Sequence, residues 1–304
     1  MALLLLLLLF TGTAQLFLHP ASCSPPPSSS CDWCPLHTTA SLLPPAAADL
    51  NDGDDACGYG ADAMATELNG VGLFAAAAGA DFFRDGAGCG ACYQLRCRHR
   101  RVCGGDGVKV VVVTGAANRT GFLLSREAFA AMARRDHQRL AGAMDNNVQV
   151  DFRRIPCEYR SNLTVRVEEG SRNPSNLAIR FLYQGGQTDI AAVEIAQQAV
   201  TNNNHPAAHY QPSSWRPMAR LRRNSSSKWR TPRAPAGPLR LRLVVTAGSG
   251  GKWLRAEEAV LPADWRPGQA YDTGLRVTDV AARSCRALAG GGGGGGNEEE
   301  EELR

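Results

Sequence analysis

Cysteine is the residue type that most constrains this chain. Eight of the ten cysteines lie between Cys31 and Cys157, with Cys23 upstream and Cys285 far downstream. A cluster of this density either forms a disulfide framework or binds zinc, and the two C-x-x-C pairs that begin at Cys31 and Cys89 have the spacing of zinc-ribbon ligands. The compartment decides between these interpretations, because cysteines stay reduced in the cytosol and oxidise after export.

The first residues indicate export. Met1 to Phe10 include seven consecutive leucines, and Pro20-Ala21-Ser22 supplies the small residues favoured before signal-peptidase cleavage. We therefore predict a signal peptide over residues 1–22 and a secreted, extracellular protein; no apolar segment is long enough to span a membrane, so we expect no membrane partner. Export favours disulfides, and the two C-x-x-C pairs are far apart, so we expect no metal site and no cofactor.

Three N-x-S/T sequons also fit a secreted glycoprotein. They begin at Asn118, Asn162 and Asn224, and each predicts an acceptor for an N-linked glycan. Chance alone produces one or two sequons in a chain of this length.

Composition divides the remaining chain into regions. Residues 23–53 contain the Pro/Ser segment SPPPSSS and predict a linker or N-terminal extension. The cysteine-rich region 54–158 follows, in which the β-branched run Val108–Thr114 predicts a buried strand and Ser125 predicts the cap of a short helix. At the other end, residues 286–304 combine a glycine run with acidic residues and predict a disordered tail.

Residues 160–283 show a different pattern. Apolar and polar residues alternate in the segments 163–168, 177–183 and 239–243, as in half-buried strands. Gly185-Gly186 predicts a two-residue hairpin turn into the next strand. Short alternating strands separated by turns indicate a β-sandwich.

Charge is concentrated in one part of this second region. The formal net charge of +4 is too small to indicate a nucleic-acid partner. The segment from Arg216 to Arg255, however, holds eleven basic residues and no Asp or Glu. It predicts either an acidic partner, such as an anionic polysaccharide or a membrane surface, or a solvated basic face.

Several strings resemble the plant expansin superfamily, and most of all its expansin-like A branch. They occur in family order over roughly residues 31–285, and together they are highly specific, although a single one is not. The strings are ACGYG (56–60), DGAGCGACY (85–93), RRIPCEY (153–159), VRVEE (165–169), LAI (177–179), FLYQGGQTD (181–189), VVTAG (244–248) and LPADW (261–265).

The resemblance implies an all-β fold: a six-stranded double-psi β-barrel, similar to family-45 endoglucanases, followed by an immunoglobulin-like β-sandwich that resembles a carbohydrate-binding module. It also implies three disulfides, with Cys31 and Cys34 outside the set and Cys285 unassigned. The implied pairs are Cys57–Cys89, Cys92–Cys157 and Cys97–Cys103.

The same resemblance bears on hydrolysis. Inverting glycosidases need a general acid and a general base, two carboxyl groups about 6.5–9.5 Å apart. Family members carry Asp at two barrel positions where this chain, as aligned, has Gly115 and Gly121, so we predict a non-hydrolytic protein with no catalytic residue. The chain has no HExxH or GxSxG motif either. The nearby acidic residues do not form a recognisable catalytic pair; they are Asp54, Asp55, Asp106 and Asp151.

Polysaccharide binding in this family depends on exposed aromatic rings, which supply flat apolar area. At one such position of the second domain this chain has Asn176, and at another it has Arg222 and Arg223. Trp215 and Trp229 remain as candidate polysaccharide-binding residues, although a tryptophan in a sandwich also serves as core. We expect weaker stacking on cellulose than in typical expansins, and the basic segment suggests acidic wall polymers.

The sequence thus predicts a secreted, monomeric cell-wall protein that binds plant wall polysaccharides, either cellulose and xyloglucan or acidic pectin, and loosens the wall without cleaving it. Two alternatives remain. One is a binding or structural wall module without loosening activity. The other is a residual endoglucanase that uses Asp151 or another carboxylate.

Overall fold

Six strands close into a barrel in the computed structural model of this chain. The predicted signal peptide, the tail, Cys31, Cys34 and Cys285 lie outside the described residues. The structure describes residues 36–43, 57–59, 72–99, 103–116, 119–133, 147–198, 214–221, 227–247 and 250–277.

Two pairs of parallel strands characterise the barrel. Around it the strands follow the order β1-β5-β2-β4-β3-β6, with β1 parallel to β5 and β2 parallel to β4. The other four neighbouring pairs are antiparallel, which is the double-psi arrangement that the resemblance implies. The strands are β1 (Leu36–Leu42), β2 (Leu73–Ala78), β3 (Cys92–Cys97), β4 (Val108–Gly115), β5 (Phe122–Leu124) and β6 (Asn147–Ile155).

Two local sequence patterns, the valine run of β4 and the serine at position 125, correspond to features of the barrel. Four consecutive valines of β4, Val110 to Val113, are fully buried, because covering segments shield the side of the strand that faces away from the barrel interior. Ser125 accepts a hydrogen bond from the Ala128 N–H (3.2 Å) and so caps a short helix. The helical segments are α1 (Ala80–Phe83), the 3₁₀ helix Arg84–Gly86 and α2 (Arg126–Ala131).

The barrel begins earlier than the sequence predicts. β1 lies within residues 23–53, which the composition assigns to a linker, and it pairs with β6 from Leu36 to Ser41. Its sequence, LHTTASL, lacks a sustained alternation of apolar and polar residues, so its strand character arises from pairing with β5 and β6 rather than from a local pattern.

Among the residues that the structure describes, three disulfides tie the barrel together. Cys57–Cys89, Cys92–Cys157 and Cys97–Cys103 close sequence separations of 32, 65 and 6 residues. This pairing is the one that the resemblance implies. The first two bonds are buried. Cys57–Cys89 joins the segment before β2 to the segment before β3, and Cys92–Cys157 joins the first residue of β3 to the segment after β6.

A two-sheet sandwich follows the barrel. One sheet has the strand order β10-β9-β13-β14, and the other has the order β11-β12-β8-β7-β15. The strands are β7 (Thr164–Val167), β8 (Leu177–Leu182), β9 (Asp189–Gln197), β10 (Arg216–Pro217), β11 (Ala219–Arg220), β12 (Trp229–Thr231), β13 (Leu239–Ala247), β14 (Gly250–Arg255) and β15 (Ala270–Asp272).

The alternating segments of the sequence become the inner faces of these sheets. Val165, Ile179 and Phe181 line the five-stranded sheet, whereas Leu241 and Leu243 line the four-stranded one, and all five are buried. The polar residues between them face outward, as the period of two predicts.

The predicted hairpin at Gly185-Gly186 is wrong. β8 and β9 belong to different sheets, and the two glycines lie where the chain crosses from one sheet to the other. Gly186 has φ +87°, and an added Cβ would lie 2.5 Å from Cys157 Sγ. The Cys157 N–H donates to the Gly185 carbonyl (2.8 Å), so the glycines permit a close approach to the barrel rather than a hairpin.

An ion-pair cluster joins the barrel to the sandwich. Arg84 donates two hydrogen bonds to the Asp189 carboxylate (2.7 and 2.9 Å), and Arg154 donates a third (2.7 Å). Burial opposes ionisation of Asp189, but the hydrogen bonds from both arginines outweigh it and hold the pKa of the carboxyl below its usual value. The carboxylate therefore stays charged between two barrel arginines.

Candidate polysaccharide-binding site

The two glycines that occupy the expected acid positions lie at one end of the barrel. Gly115 pairs with Ala78 at the end of β2, and the N–H of the next residue, Gly79, donates to the Gly121 carbonyl (2.8 Å). The fold therefore brings together the two positions that the alignment singled out. In this chain neither position supplies a side-chain carboxyl group.

Neither glycine leaves room for a side chain. An added Cβ at Gly121, where φ is +72°, would overlap the Thr39 carbonyl oxygen. At Gly115 it would lie 2.5 Å from Cδ1 of the buried Phe83 ring. The backbone and the core have closed around these glycines, so an aspartate at either position requires its surroundings to move.

Asp151, the carboxylate of the endoglucanase hypothesis, is held by basic side chains. It faces His37 across the β1–β6 pair, and the His37 Nδ1 lies 2.7 Å from the Asp151 Oδ1. Arg98 Nε lies 3.5 Å from the same oxygen. The contacts of Asp151 are thus with basic side chains of β1 and of the segment that follows β3.

Of the other acidic candidates, Asp106 is the one that the structure describes. Asp54 and Asp55 lie outside the described residues. Asp106 lies in the turn before β4, where its backbone carbonyl accepts a hydrogen bond from Gln94 Nε2 (2.8 Å). Of the two described candidates, Asp151 is the one that lies on a barrel strand.

An aromatic cluster fills one side of the barrel. Phe82 packs against Phe122, Phe152 and Tyr93 with ring centroids 4.4 to 5.5 Å apart. Burial raises the pKa of the Tyr93 hydroxyl, against the opposing charges of Arg154 and Arg84. The Phe82 ring lies at 85° to Tyr93 and 82° to Phe152, so these edge-to-face contacts are core packing and do not present coplanar faces to a sugar chain.

The five-stranded sheet lacks a ring where the family has one. Asn176 accepts a hydrogen bond from Arg230 Nε (2.9 Å) through its side-chain oxygen, and its backbone pairs with Arg172. This position is a hydrogen-bonded corner of the sandwich. Arg222, Arg223, Asn118 and Asn224 lie outside the described residues.

The two candidate tryptophans have different environments. Trp229 is 6% exposed and belongs to the sandwich core, so it offers no face to a polysaccharide, and its candidacy as a binding platform is wrong. Trp215 is half-buried beside the four-stranded sheet, and the Arg242 guanidinium lies 4.5 Å from its ring centroid.

Sequence reasoning missed a third tryptophan. Trp253 is 56% exposed on β14, and Arg242 lies 4.6 Å from its ring centroid as well. Its neighbour Leu254 is buried, so the alternation of the segment KWLR could have placed Trp253 on the outer face. Of the described tryptophans of the sandwich, Trp215 and Trp253 are therefore the two whose rings a ligand can reach.

Within the part of the chain that the structure describes, no helix is long and apolar enough to cross a membrane. The same residues contain no group of three or more His, Cys, Asp or Glu side chains that could hold a metal ion.

A six-stranded double-psi barrel followed by a two-sheet sandwich is the architecture of an expansin-type protein. The Expansin C-terminal domain family model matches residues 163–262. The chain is 57% identical over 290 residues to Expansin-like A4 of Oryza sativa subsp. japonica, and the alignment covers 90% of this chain and 88% of that relative. The chain belongs to the expansin superfamily, in its expansin-like A group.

A second relative agrees with this assignment, and two solved structures share the fold. Expansin-like A2 of Arabidopsis thaliana is 39% identical over 85% of this chain and 90% of its own. The crystal structure of the apo expansin of Clavibacter michiganensis has a TM-score of 0.51 and 19% identity, and it covers 79% of this chain and 96% of its own. A mutant of that expansin, solved in complex with cellohexaose, has the same TM-score, 18% identity, and coverage of 80% and 98%.

Proposed function

We propose that this protein is secreted to the plant cell wall, binds wall polysaccharides and loosens the wall without hydrolysis. The observation that carries the proposal is the pair Gly115 and Gly121, whose sites have no room for the carboxylates of an inverting glycosidase. General acid–base catalysis contributes factors of about 10² to 10⁴, so its loss leaves little cleavage.

Loosening without hydrolysis needs no covalent step. A surface that binds a glucan chain competes with the hydrogen bonds and stacking contacts between neighbouring chains, and it lets them slide under load. Binding in the solved expansin with cellohexaose supports a glucan as one ligand class. Of the two candidate tryptophans, Trp215 and Trp229, we assign Trp215 to polysaccharide binding, because Trp229 is buried.

A binding or structural module without loosening activity is the second candidate. Asn176 favours it, because a hydrogen-bonded amide stands where the family presents an aromatic ring. This candidate shares the prediction of no hydrolysis, and wall extension distinguishes the two.

Hydrolysis and binding are tested together on soluble and insoluble glucans. We expect the folded, disulfide-intact protein to sediment with cellulose and to release no reducing sugar from soluble glucans. Sugar release that disappears in Asp151→Asn would support the endoglucanase hypothesis and contradict the proposal. Release that persists in Asp151→Asn would also contradict it, and would assign the chemistry to another carboxylate.

Secretion is supported by the leucine-rich N-terminus and by the disulfides. Asn118, Asn162 and Asn224 are the proposed glycosylation sites. Of these, Asn162 is described and partly exposed, and its Nδ2 donates to the Asp272 carboxylate (3.2 Å). Intact-mass measurement of protein from plant culture before and after glycosidase treatment counts the glycans, and an unchanged mass would contradict this assignment.

A further inference from the structure

The outer face of the four-stranded sheet carries a compact group of aromatic and charged side chains. We call it the Arg–Trp cluster, and it consists of Trp215, Trp253, Arg242, Arg255 and Glu194. It lies on β9, β13 and β14 and on the residue before β10. This sheet is the one opposite Asn176 and the position of the family's missing ring.

One guanidinium organises the cluster. The Arg242 Cζ lies 4.5 Å from the Trp215 ring centroid and 4.6 Å from that of Trp253, and the Arg255 Cζ lies 5.7 Å from Trp215. These distances are within the range of cation–π contacts, which fix the orientation of both the rings and the cations. The cluster is thus ordered before any ligand arrives.

The charges of the cluster do not balance. Arg242 and Arg255 are direct partners across the β13–β14 pair, and like charges directly opposite each other destabilise a sheet. Glu194 neutralises Arg242, which contacts it through Nε and Nη2 (2.5 Å each). Within the described part of the chain, Arg255 contacts no carboxylate, so one positive charge is left over.

The nearest acidic residues in sequence do not supply the missing carboxylate. Glu257 and Glu258 follow β14 and are exposed. Glu258 accepts a hydrogen bond from Gln198 Nε2 (3.4 Å), at the end of β9. The cluster thus retains exposed apolar ring area next to an unpaired guanidinium.

From these features we infer that the Arg–Trp cluster is a binding site for an acidic polysaccharide, a chain of hexuronate sugars. A pyranose ring stacks on the exposed face of Trp253, and the carboxylate of that sugar or its neighbour pairs with Arg255. The inference rests on the proposed function, because it names the ligand class of a polysaccharide-binding sandwich. A neutral glucan would use the ring but would leave the Arg255 charge unpaired.

The test compares variants of the full mature protein on polygalacturonate in low-salt buffer at pH 6. Arg255→Gln removes the unpaired charge, and loss of a hydrogen bond to a charged group lowers affinity about 10-fold or more. Trp253→Ala removes the stacking face and lowers affinity about 5-fold. Both side chains are exposed, so the fold survives, and circular dichroism verifies this for each variant.

Arg230→Gln is the matched control. It removes the same charge from an outward-facing position on the opposite sheet, so its net charge equals that of Arg255→Gln. We expect it to bind polygalacturonate like the wild type, within a factor of about 2 for a diffuse electrostatic effect. Equal losses in Arg230→Gln and Arg255→Gln would overturn the inference, since binding would then follow net charge alone.

Four further results separate the possibilities. Unchanged polygalacturonate binding in Trp253→Ala, or tighter binding to vesicles of phosphatidylcholine and phosphatidylserine than to polygalacturonate, would overturn the inference. Binding to cellulose without binding to polygalacturonate would also overturn it, and would leave the proposed function intact. A folded protein that binds neither polymer would contradict the proposed function itself.

Discussion

At the scale of single residues, two glycines carry most of the functional argument. Gly115 and Gly121 remove the carboxyl groups from one end of the barrel, and the structure adds that Phe83 and the Thr39 carbonyl now occupy the space. The sequence alone indicates the exchange of side chains at these two positions. It cannot identify the steric closure, because Thr39 and Gly121 are far apart in sequence and meet through the pairing of β1 with β5.

We predict that Gly121→Asp does not restore hydrolysis and lowers the free energy of unfolding by more than about 2 kcal/mol. The positive φ and the overlap with the Thr39 carbonyl both oppose the new side chain. Denaturant unfolding measures the change. Gly105→Asp is the control, because a Cβ there meets no atom within 4 Å; a stable, sugar-releasing Gly121→Asp protein would refute the steric account.

The tryptophans show how far sequence reasoning reaches at this scale. The sequence offers Trp215 and Trp229 as equal candidates. In the structure, however, Trp215 is half-buried at a sheet edge, whereas Trp229 belongs to the core. Burial depends on which strand joins which sheet, and the short strands around these residues gave no periodic signal. The exposure of Trp253, by contrast, can be predicted from sequence. Once β14 is recognised as a strand, the apolar Leu254 is assigned to its inner face, and its neighbour Trp253 must then lie on the outer face.

At the scale of elements, strands with a strong period were predictable and strands defined by their partners were not. Val108–Thr114 became β4 (Val108–Gly115), and the alternating segments became β7, β8 and β13. β1 and the sheet-to-sheet crossing at Gly185-Gly186 were missed, because both depend on contacts with distant residues. A Gly-Gly pair is equally typical of a hairpin and of close packing against another segment.

The disulfides differ in what they contribute to these elements. Cys92–Cys157 spans 65 residues and Cys97–Cys103 spans 6, so the longer loop loses more unfolded-state entropy when it is closed. We predict that replacing Cys92 and Cys157 together by Ala costs about 2 kcal/mol more than replacing Cys97 and Cys103. Guanidinium titration of both double variants measures this, and equal costs would contradict the loop-length explanation.

At the scale of the whole molecule, Asp189 couples the barrel to the sandwich. Its carboxylate is 18% exposed and accepts hydrogen bonds from two barrel arginines. Arg84 lies in the 3₁₀ helix that follows β2 and α1, and Arg154 lies on β6. Because the pKa of Asp189 is lower in the folded protein than in the unfolded chain, its contribution to stability is complete above about pH 4 and is lost as the pH falls through the folded value. The junction thus remains intact in mildly acidic solution.

We predict that Asp189→Asn lowers the free energy of unfolding by about 3 kcal/mol at pH 6, since it leaves two arginines without their anion. The difference from wild type should be constant from about pH 5 to pH 8 and should shrink below about pH 4. Glu158→Gln breaks the exposed pair with Lys109 and serves as the control, with an expected change within about 0.5 kcal/mol. A difference that grows on acidification would contradict the assignment.

Wall extension tests the central claim most directly. Heat-inactivated plant walls are held under constant load in mildly acidic buffer, the purified disulfide-intact protein is added, and both extension and released reducing sugar are recorded. We predict extension with no sugar release above the buffer control. Extension accompanied by sugar release would contradict the non-hydrolytic mechanism, and no extension from folded, cellulose-bound protein would contradict loosening and favour a binding module.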